Sequence, residues 1–437
     1  MTEELKYGNR RRSKVRKPRR LIRMVLWPLS ILVLATICVA AAYSYNNRPV
    51  HVRKRVVVIP NPNGFDDFVR ATELSATATH QSPLNMMQPD ESRAAYSAAA
   101  KDAIPAIEAM REGLKKECLY PPSRSYWEID ANIKWLSPLR SLGRAVLGTA
   151  DAFDLEGRTA DATELRLDLY EMAAVFPRGG GVLQLATGGS IEAMATRHFE
   201  RDMPKLTSAQ LLHVSSRLDR IAARRATLGD AFEVTCYETD LTEDEFLNRR
   251  HAFSNPAQVK EFVRAEYRNQ AAEGGRSRSD IEMDIEAIQI AMSDKQSIVD
   301  SNLRSLERLK GEINRPYGEP THVVIPKNVI TKMGAIVDVV TCKRLTTRYA
   351  AGLAILRTEV AAYRYRRNHG RFPPSLSALA PAFISASAVI DPFNGSPLRY
   401  QVLKNGQTFV ISSVGDPIMD YRHGQCCLVA GHLYSWK

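Results

Sequence analysis

The sequence predicts a mainly α fold: a membrane anchor helix, a helical ectodomain and a small C-terminal α+β module. Three observations carry this. An uncharged apolar run, "MVLWPLSILVLATICVAAAY" (24–43), follows an Arg-rich tail. Apolar residues then recur at helical spacing from Ser92 to about residue 369. After Pro381 the pattern changes to short β-prone runs separated by turns. The expected boundaries are a basic cytoplasmic tail (1–23), a transmembrane helix (24–45), a connector (46–91), the helical ectodomain (92–340) and the α+β module (341–437).

The first element rests on length. Twenty helical residues span about 30 Å, the hydrocarbon thickness of a bilayer. Trp27 sits near one end and Tyr43 and Tyr45 near the other, where amphipathic rings favour interfaces. Pro28 falls in the first turn, where a missing N–H costs least. The net charge is +12, but ten of the 60 basic residues and only two of the 48 acids lie in residues 1–45. The remainder is close to neutral, so the basicity belongs to the tail. The positive-inside rule places that tail in the cytoplasm and the bulk outside it. The expectation is a single-pass, signal-anchor protein of the inner (cytoplasmic) membrane. Cleavage after Ala40-Ala41-Ala42 is the competing reading, and the length of the uncharged span favours retention. Bulky Ile37 argues against lipid modification of Cys38. The expected partners are the lipid bilayer, through residues 24–45, and other envelope proteins. No nucleic-acid partner is expected, because topology accounts for the basic tail.

With 44% apolar and 25% charged residues, the chain has an ordinary globular composition, and 437 residues suffice for two or three domains. In the connector, a β-prone run at 52–60 leads through the turn Asn61-Pro62-Asn63-Gly64 to a short helix from Asp66. Residues 75–92 are polar and Pro-punctuated, and read as a loop. A helix is expected over 92–118, closed by Pro121-Pro122. Residues 138–156 and 159–175 read as a helical hairpin broken at Gly157. Ala150, Phe153, Gly157 and Ala162 stand roughly as in a tetratricopeptide-type unit, although no second copy follows at a fixed period. Further helices are expected over Gly181–Arg201 and Ser208–Ala226, the latter announced by the capping sequence "TSAQ". Glu243, Asp244 and Glu245 read as the first turn of another helix. Ile281, Ile285, Ile288, Met292, Val299, Leu306, Leu309 and Ile313 follow steps of four and three, which predicts one long bundle helix over 281–313. A helix near 327–340 and another over 341–369 complete the series.

The last of these ends in "YRYRRNHGRFPPSLSALAP" (363–381). Leu353, Leu356, Val360 and Tyr363 form its apolar stripe, which leaves the arginines on the solvated face. Gly370 is placed as the left-handed residue that ends the helix, behind Arg366, Arg367 and His369. Phe372-Pro373 then plugs the turn against a sheet built from 398–403, 408–414 and 426–436, with a hairpin at Asn405-Gly406. Three pieces, "VAAYRYRRNHGRFPPSLSAL", "DPFNGSPLRYQV" and "TFVISSVGDP", together resemble the soluble part of type II secretion major pseudopilins (the G-type subunit), over about residues 343–418. The whole layout also looks like uncharacterised bacterial single-pass membrane proteins that carry such a segment.

The resemblance implies an α+β module whose structural residues are Gly370, Phe372, Pro373, Asp391, Pro392, Phe393, Gly395 and Gly415. It departs from the family at the N-terminus: "MVLWP" follows Arg23 without the Glu of a prepilin site, so filament assembly through stacked N-terminal helices is not implied. The family's calcium loop maps to "GDPIMDYRHG", where Asp416 and Asp420 are the candidate ligands. Pro417, Ile418 and Met419 supply no side-chain oxygen, and calcium takes six or more oxygens. The expectation is no resident cofactor, with Ca²⁺ as the alternative.

Motifs for catalysis are missing. There is no H-E-x-x-H, G-x-S-x-G or Walker loop. "RGGG" (178–181) precedes a helix and could present amides to an anion, but it lacks the Lys-Ser/Thr of a phosphate loop and reads as a turn. His198, His213 and His251 fit surface or capping positions. Cys118, Cys236, Cys342, Cys426 and Cys427 form no C-x-x-C pair and read as inert buried thiols. The chain is therefore expected to be a scaffold or protein-interaction protein of the cell envelope without catalytic residues. The alternatives are an accessory component of a type II secretion or type IV pilus-like system, and an envelope hydrolase.

Overall fold

Apolar residues at helical spacing build helices along most of the chain, and several caps fall where the sequence places them. The structure, a computed structural model, describes residues 19–46, 48–53, 56–77, 93–249, 256–272, 279–292, 294–313, 315–317, 339–415 and 429–430. The helices in order are α1 (Arg19–Asn46), α2 (Gly64–Thr77), α3 (Arg93–Leu114), α4 (Tyr126–Ile133), α5 (Leu136–Leu155), α6 (Thr159–Val175), α7 (Val182–Asp202), α8 (Ser208–Arg224), α9 (Leu228–Glu243), α10 (Pro256–Ala272), α11 (Asp280–Met292), α12 (Lys295–Ile313) and α13 (Val339–His369). The strands are β1 (Arg399–Leu403), β2 (Thr408–Ser412) and the two-residue β3 (Val429–Ala430), all antiparallel in the order β1-β2-β3. The expected helix near 327–340 lies outside the described residues apart from its end, which opens α13. Contacts divide the chain into two units, Met1–Val50 with Leu247–Lys295, and His51–Phe246 with Gln296–Lys437.

In the larger unit, α6 is the centre. It packs against α3, α5, α7 and α8. Buried residues occupy its whole circumference, from Leu165 and Leu169 to Tyr170 and Met172. The α5–α6 turn is made by Gly157 at φ 81°, a left-handed conformation that costs glycine least. Helix α8 begins with a complete capping box, Thr207 and Gln210 each bonding the other's backbone N–H. Helices α2 and α3 meet at glycine. A Cβ on Gly64 would lie 2.4 Å from the Gly113 carbonyl oxygen, and one on Gly113 would lie 2.6 Å from the Phe68 ring.

Helix α13 lies on α7 and α8 and carries the sheet. Its Tyr349 ring lies so close to Gly189 of α7 that any side chain there would overlap it. At its end Tyr363 meets Phe372 at 5.2 Å, and Phe372 meets Phe409 of β2 at 4.4 Å. One hydrophobic core therefore runs from Phe65 through α6 to Ile411.

The smaller unit contains α1, α10 and α11. Val259 and Val263 of α10 and Ala287 and Ile290 of α11 are buried, and Lys260 pairs with Asp284 at 2.6 Å. Leu29, Ile31, Leu32, Val33, Leu34 and Ile37 of α1 are exposed.

Four expectations are corrected. Among the described residues no helix is long and apolar enough to cross a membrane, so the transmembrane, single-pass and signal-anchor reading of 24–45 and the inner-membrane location are overturned. Helix α1 opens on the basic "RRLIR", so three arginines lie within its first five residues. The long helix over 281–313 is two helices, α11 ending at Met292 and α12 starting at Lys295, with Asp294, a residue type that favours caps over helix interiors, just ahead of α12. Glu243 closes α9, and Asp244 and Glu245 sit in a π-helical turn after it, instead of opening a helix. The start lies upstream, where the Thr227 side chain accepts the Asp230 N–H at 3.1 Å. Finally, the α13 arginines do not simply face solvent, as described below.

Gly113→Ala is expected to force α2 and α3 apart and to lower stability by about 1–3 kcal/mol, an overpacking cost. Urea denaturation followed by circular dichroism measures it, and an unchanged midpoint would show that the two helices yield freely.

Candidate functional site

A helix buried on all sides has to pair whatever charge it carries. Arg166 of α6 is fully buried. Its Nη2 donates to Asp151 Oδ1 and to Asp154 Oδ2 of α5, both at 2.7 Å, and its Nη1 donates to Asp202 at the end of α7. Thr163 Oγ1 adds a bond to Asp202 at 3.3 Å. His198 and Arg201 approach Asp151 from α7 at 3.2 and 3.4 Å. Burial raises the Asp202 carboxyl despite Arg166, whereas for Asp151 burial is outweighed by His198 and Arg166, which hold it below its usual range.

A second network crosses α6 on another side. Arg217 of α8 binds Glu164, Asp168 and Glu171 at 3.1, 2.9 and 2.6 Å, while Arg111 of α3 takes Asp168 at 2.7 Å. Arg225 holds the buried Glu192 of α7 at 2.5 Å. These clusters tie neighbouring helices together. No group of three or more His, Cys, Asp or Glu among the described residues could hold a metal ion.

The grouping with most chemical potential lies where the "RGGG" turn enters α7. A Cβ on Gly181 would lie 2.9 Å from Thr235 Oγ1 and 3.2 Å from Glu238 Oε2, both on α9. The Val182 N–H donates to Thr235 Oγ1 at 3.2 Å. The space in front of this helix N-terminus is thus filled by the protein's own carboxylate and hydroxyl. Ser123 Oγ donates to Glu238 Oε1 at 3.4 Å and accepts from Asn132 Nδ2 at 3.0 Å. Burial pushes Glu238 up to about 7, opposed only by the Ser123 hydroxyl. One turn further along α9, Glu243 is pushed up to about 7 by burial, opposed mainly by Asn302 Nδ2 at 2.7 Å. A nucleophilic serine would need a base oriented by a third group, and His198 and His213 are instead engaged with Asp151 and Glu164.

The structural residues expected in the C-terminal module come together. Gly370 has φ 73° and donates its N–H to the Arg366 carbonyl at 2.8 Å, ending α13. Phe372 is buried, and the Pro373 carbonyl accepts the Tyr400 hydroxyl at 2.7 Å. Asp391 is fully buried and ties the turn: Oδ1 accepts from Phe393 N and Ser413 Oγ, both at 3.0 Å, and Oδ2 accepts from Val414 N at 2.7 Å. Gly395 (φ 69°) and Gly415 (φ 73°) take left-handed conformations on either side of this knot, and Pro392 and buried Phe393 follow Asp391. Asp416 and Asp420, the candidate calcium ligands, lie outside the described residues, as do His251, Cys426 and Cys427. Burial raises the Cys118 and Cys236 thiols to about 12, which suppresses their thiolates.

Two arginines of "YRYRRNHGRF", half-buried Arg364 and exposed Arg367, bond to neighbouring elements. Arg364 donates to Ser215 Oγ at 3.1 Å and to the Phe383 carbonyl at 2.8 Å. Arg367 caps the Pro204 and Leu206 carbonyls at 2.9 and 2.7 Å. Sequence reading missed both roles, and it missed Glu238 and Arg166, since nothing local distinguishes a buried charge from a surface one. No family profile, curated protein or solved structure matches the chain.

Arg166→Met is expected to remove the buried cation that three carboxylates share and to cost about 3–5 kcal/mol. Chemical denaturation measures this, and a loss under 1 kcal/mol would mean that the acids take up protons without strain. Glu238 and Glu243 have folded values above the ordinary carboxylate range. Their contribution is therefore fully present below about pH 4.5 and is lost as pH rises through about 7. Stability should fall between pH 5 and 8, and E238Q should flatten that decline by about 2 kcal/mol. Thermal melts across this range in both proteins test the sign.

Proposed function

We propose that the protein is an interaction scaffold that uses helix faces, not a catalytic cleft, as its working surface. One observation carries this reading: Ile281, Ile285 and Ile288 of α11 are exposed at 72%, 51% and 54% although they share one stripe of a salt-bridged helix. Single exposed apolar residues are ordinary, whereas an aligned row marks an interaction surface. The apolar residues of α1 add to the exposed apolar surface of the same unit. The charged clusters of the larger unit point the same way, because they are engaged with one another inside the helix stack.

A second reading makes the protein an accessory component of a type II secretion or pilus-like assembly. It is favoured by the joint at Gly370–Phe372 and the Asp391 knot, and it remains a likeness of layout rather than of a site.

A photocrosslinking residue at Gln289, beside the stripe, is expected to give discrete protein adducts in cells, and Ile285→Ser should abolish them. Adducts that survive Ile285→Ser would count against the scaffold reading. Adducts to pseudopilin subunits from a crosslinker at exposed Arg399, and none from Gln289, would favour the secretion reading instead.

A further inference from the structure

We infer that His198 is a pH-sensitive switch on α7: uncharged, its ring accepts a hydrogen bond from Arg201, and protonated, it donates to Asp151 and releases Arg201 to solvent. The switch goes beyond the scaffold reading and sits at the rim of the Arg166 cluster. His198 and Arg201 are three residues apart in α7, so their side chains share one face of that helix. Opposite them stands Asp151 of α5. Asp151 is buried, His198 is half-buried and Arg201 is exposed. The acceptor is therefore fixed in the interior, while the arginine is free to leave.

A single atom decides the exchange. His198 Nδ1 lies 3.2 Å from Asp151 Oδ1, and the same Nδ1 meets Arg201 Nη2. A ring nitrogen carries either a lone pair or a proton, so it cannot accept from the guanidinium while donating to the carboxylate. Arg201 can only donate, which places the lone pair of the neutral ring on Nδ1 and its proton on Nε2. Nη2 has a second hydrogen, and Asp151 Oδ1 stands 3.4 Å away to receive it. A proton on Nδ1 reverses the preference. The contact with Arg201 becomes donor against donor and cation against cation, whereas the contact with Asp151 becomes a charge-assisted hydrogen bond.

The charged groups around the ring keep the rest of the site still. Asp151 on α5 favours the protonated ring, and Arg201 on α7 opposes it. Behind Asp151, Arg166 of α6 donates to Oδ1 at 2.7 Å and also engages Asp154 of α5 and Asp202 of α7. Burial opposes ionisation of Asp151, and His198 with Arg166 outweighs it, so the carboxylate is present in both states. Only the outer cation is exchanged. Histidine is the side chain that ordinarily changes charge between about pH 5 and about pH 8, and the end of α7 accordingly presents a free guanidinium as pH falls.

The test uses the full chain carrying ¹⁵N-labelled histidine and arginine. Long-range proton–nitrogen correlation spectra show which ring nitrogen holds the proton, and H198Q and R201M identify the two signals. At about pH 8 the His198 ring should be in its Nε2–H form. R201M should convert it to the Nδ1–H form, because Asp151 is then left as the neighbour of Nδ1. As pH is lowered to about 5, the Arg201 Nε–H signal should move with the same midpoint as the His198 ring, and H198Q should abolish that movement. A wild-type neutral ring already in the Nδ1–H form, or a ring that R201M leaves in the Nε2–H form, would overturn the bond from Arg201. An Arg201 signal that stays fixed while His198 titrates, or that moves equally in H198Q, would overturn the release. Circular dichroism checks that each variant folds. Should H198Q fail to fold, the ring form in R201M, which alters an exposed side chain, still decides.

Discussion

The larger unit depends on a buried guanidinium. Arg166 has no exposure, and it joins α5, α6 and the end of α7 through three carboxylates. Such a cluster contributes less net energy than an apolar core of the same size, because desolvation offsets most of the attraction. Its consequence is geometric: the charges must meet, so the three helices can pack in only one register. Arg217 repeats the device across α6 and α8, and Arg111 extends it to α3. The central helix is thus positioned from several sides by ion pairs set within a continuous hydrophobic core.

That scaffold places α13 and the sheet. The face of α13 that carries Arg364 and Arg367 meets α8 and the turn after α7, where guanidinium groups satisfy loop carbonyls that would otherwise lack donors. Beyond Gly370 the chain turns, Phe372 enters the ring cluster, and Asp391 closes the next turn by accepting three bonds. Glu238, in contrast, lies at a helix N-terminus and accepts the Ser123 hydroxyl. Proximity to the dipole favours its anion and burial opposes it, and burial is the larger effect. Burial likewise raises Glu243 of α9 and, despite Arg225, Glu192 of α7.

Much of the helical layout was legible because it follows from spacing and caps. The α5–α6 hairpin, the break at Gly157, the capping box at Thr207 and the end of α13 at Gly370 are local features, each set by a few neighbouring residues. One misreading arises because periodicity does not say what lies opposite. The steps of four and three over 281–313 were continuous on paper, yet they describe two helices. Their apolar residues have different fates, with Val299, Leu306 and Leu309 buried and Ile281, Ile285 and Ile288 exposed. Glu243 was read as starting a helix because acids suit a first turn, but the cap at Thr227 had already set the helix further upstream. The apolar stretch of α1 suggests a span by its length, but among the described residues no helix is both long and apolar enough to cross a membrane.

The sequence by itself determined the mainly helical class, the positions of many helix ends and the glycine, proline and aspartate joint of the C-terminal module. These depend on backbone conformation and on hydrogen bonds between near neighbours. Only the tertiary structure decided which charges are buried, which cation each buried acid meets and which apolar stripe faces outward. Arg166 of α6 and Arg304 of α12 are the same residue type in charge-rich helices, yet the first is fully buried and the second is exposed. What separates their roles is the set of helices brought around the first, and that set comes from packing between segments far apart in the chain.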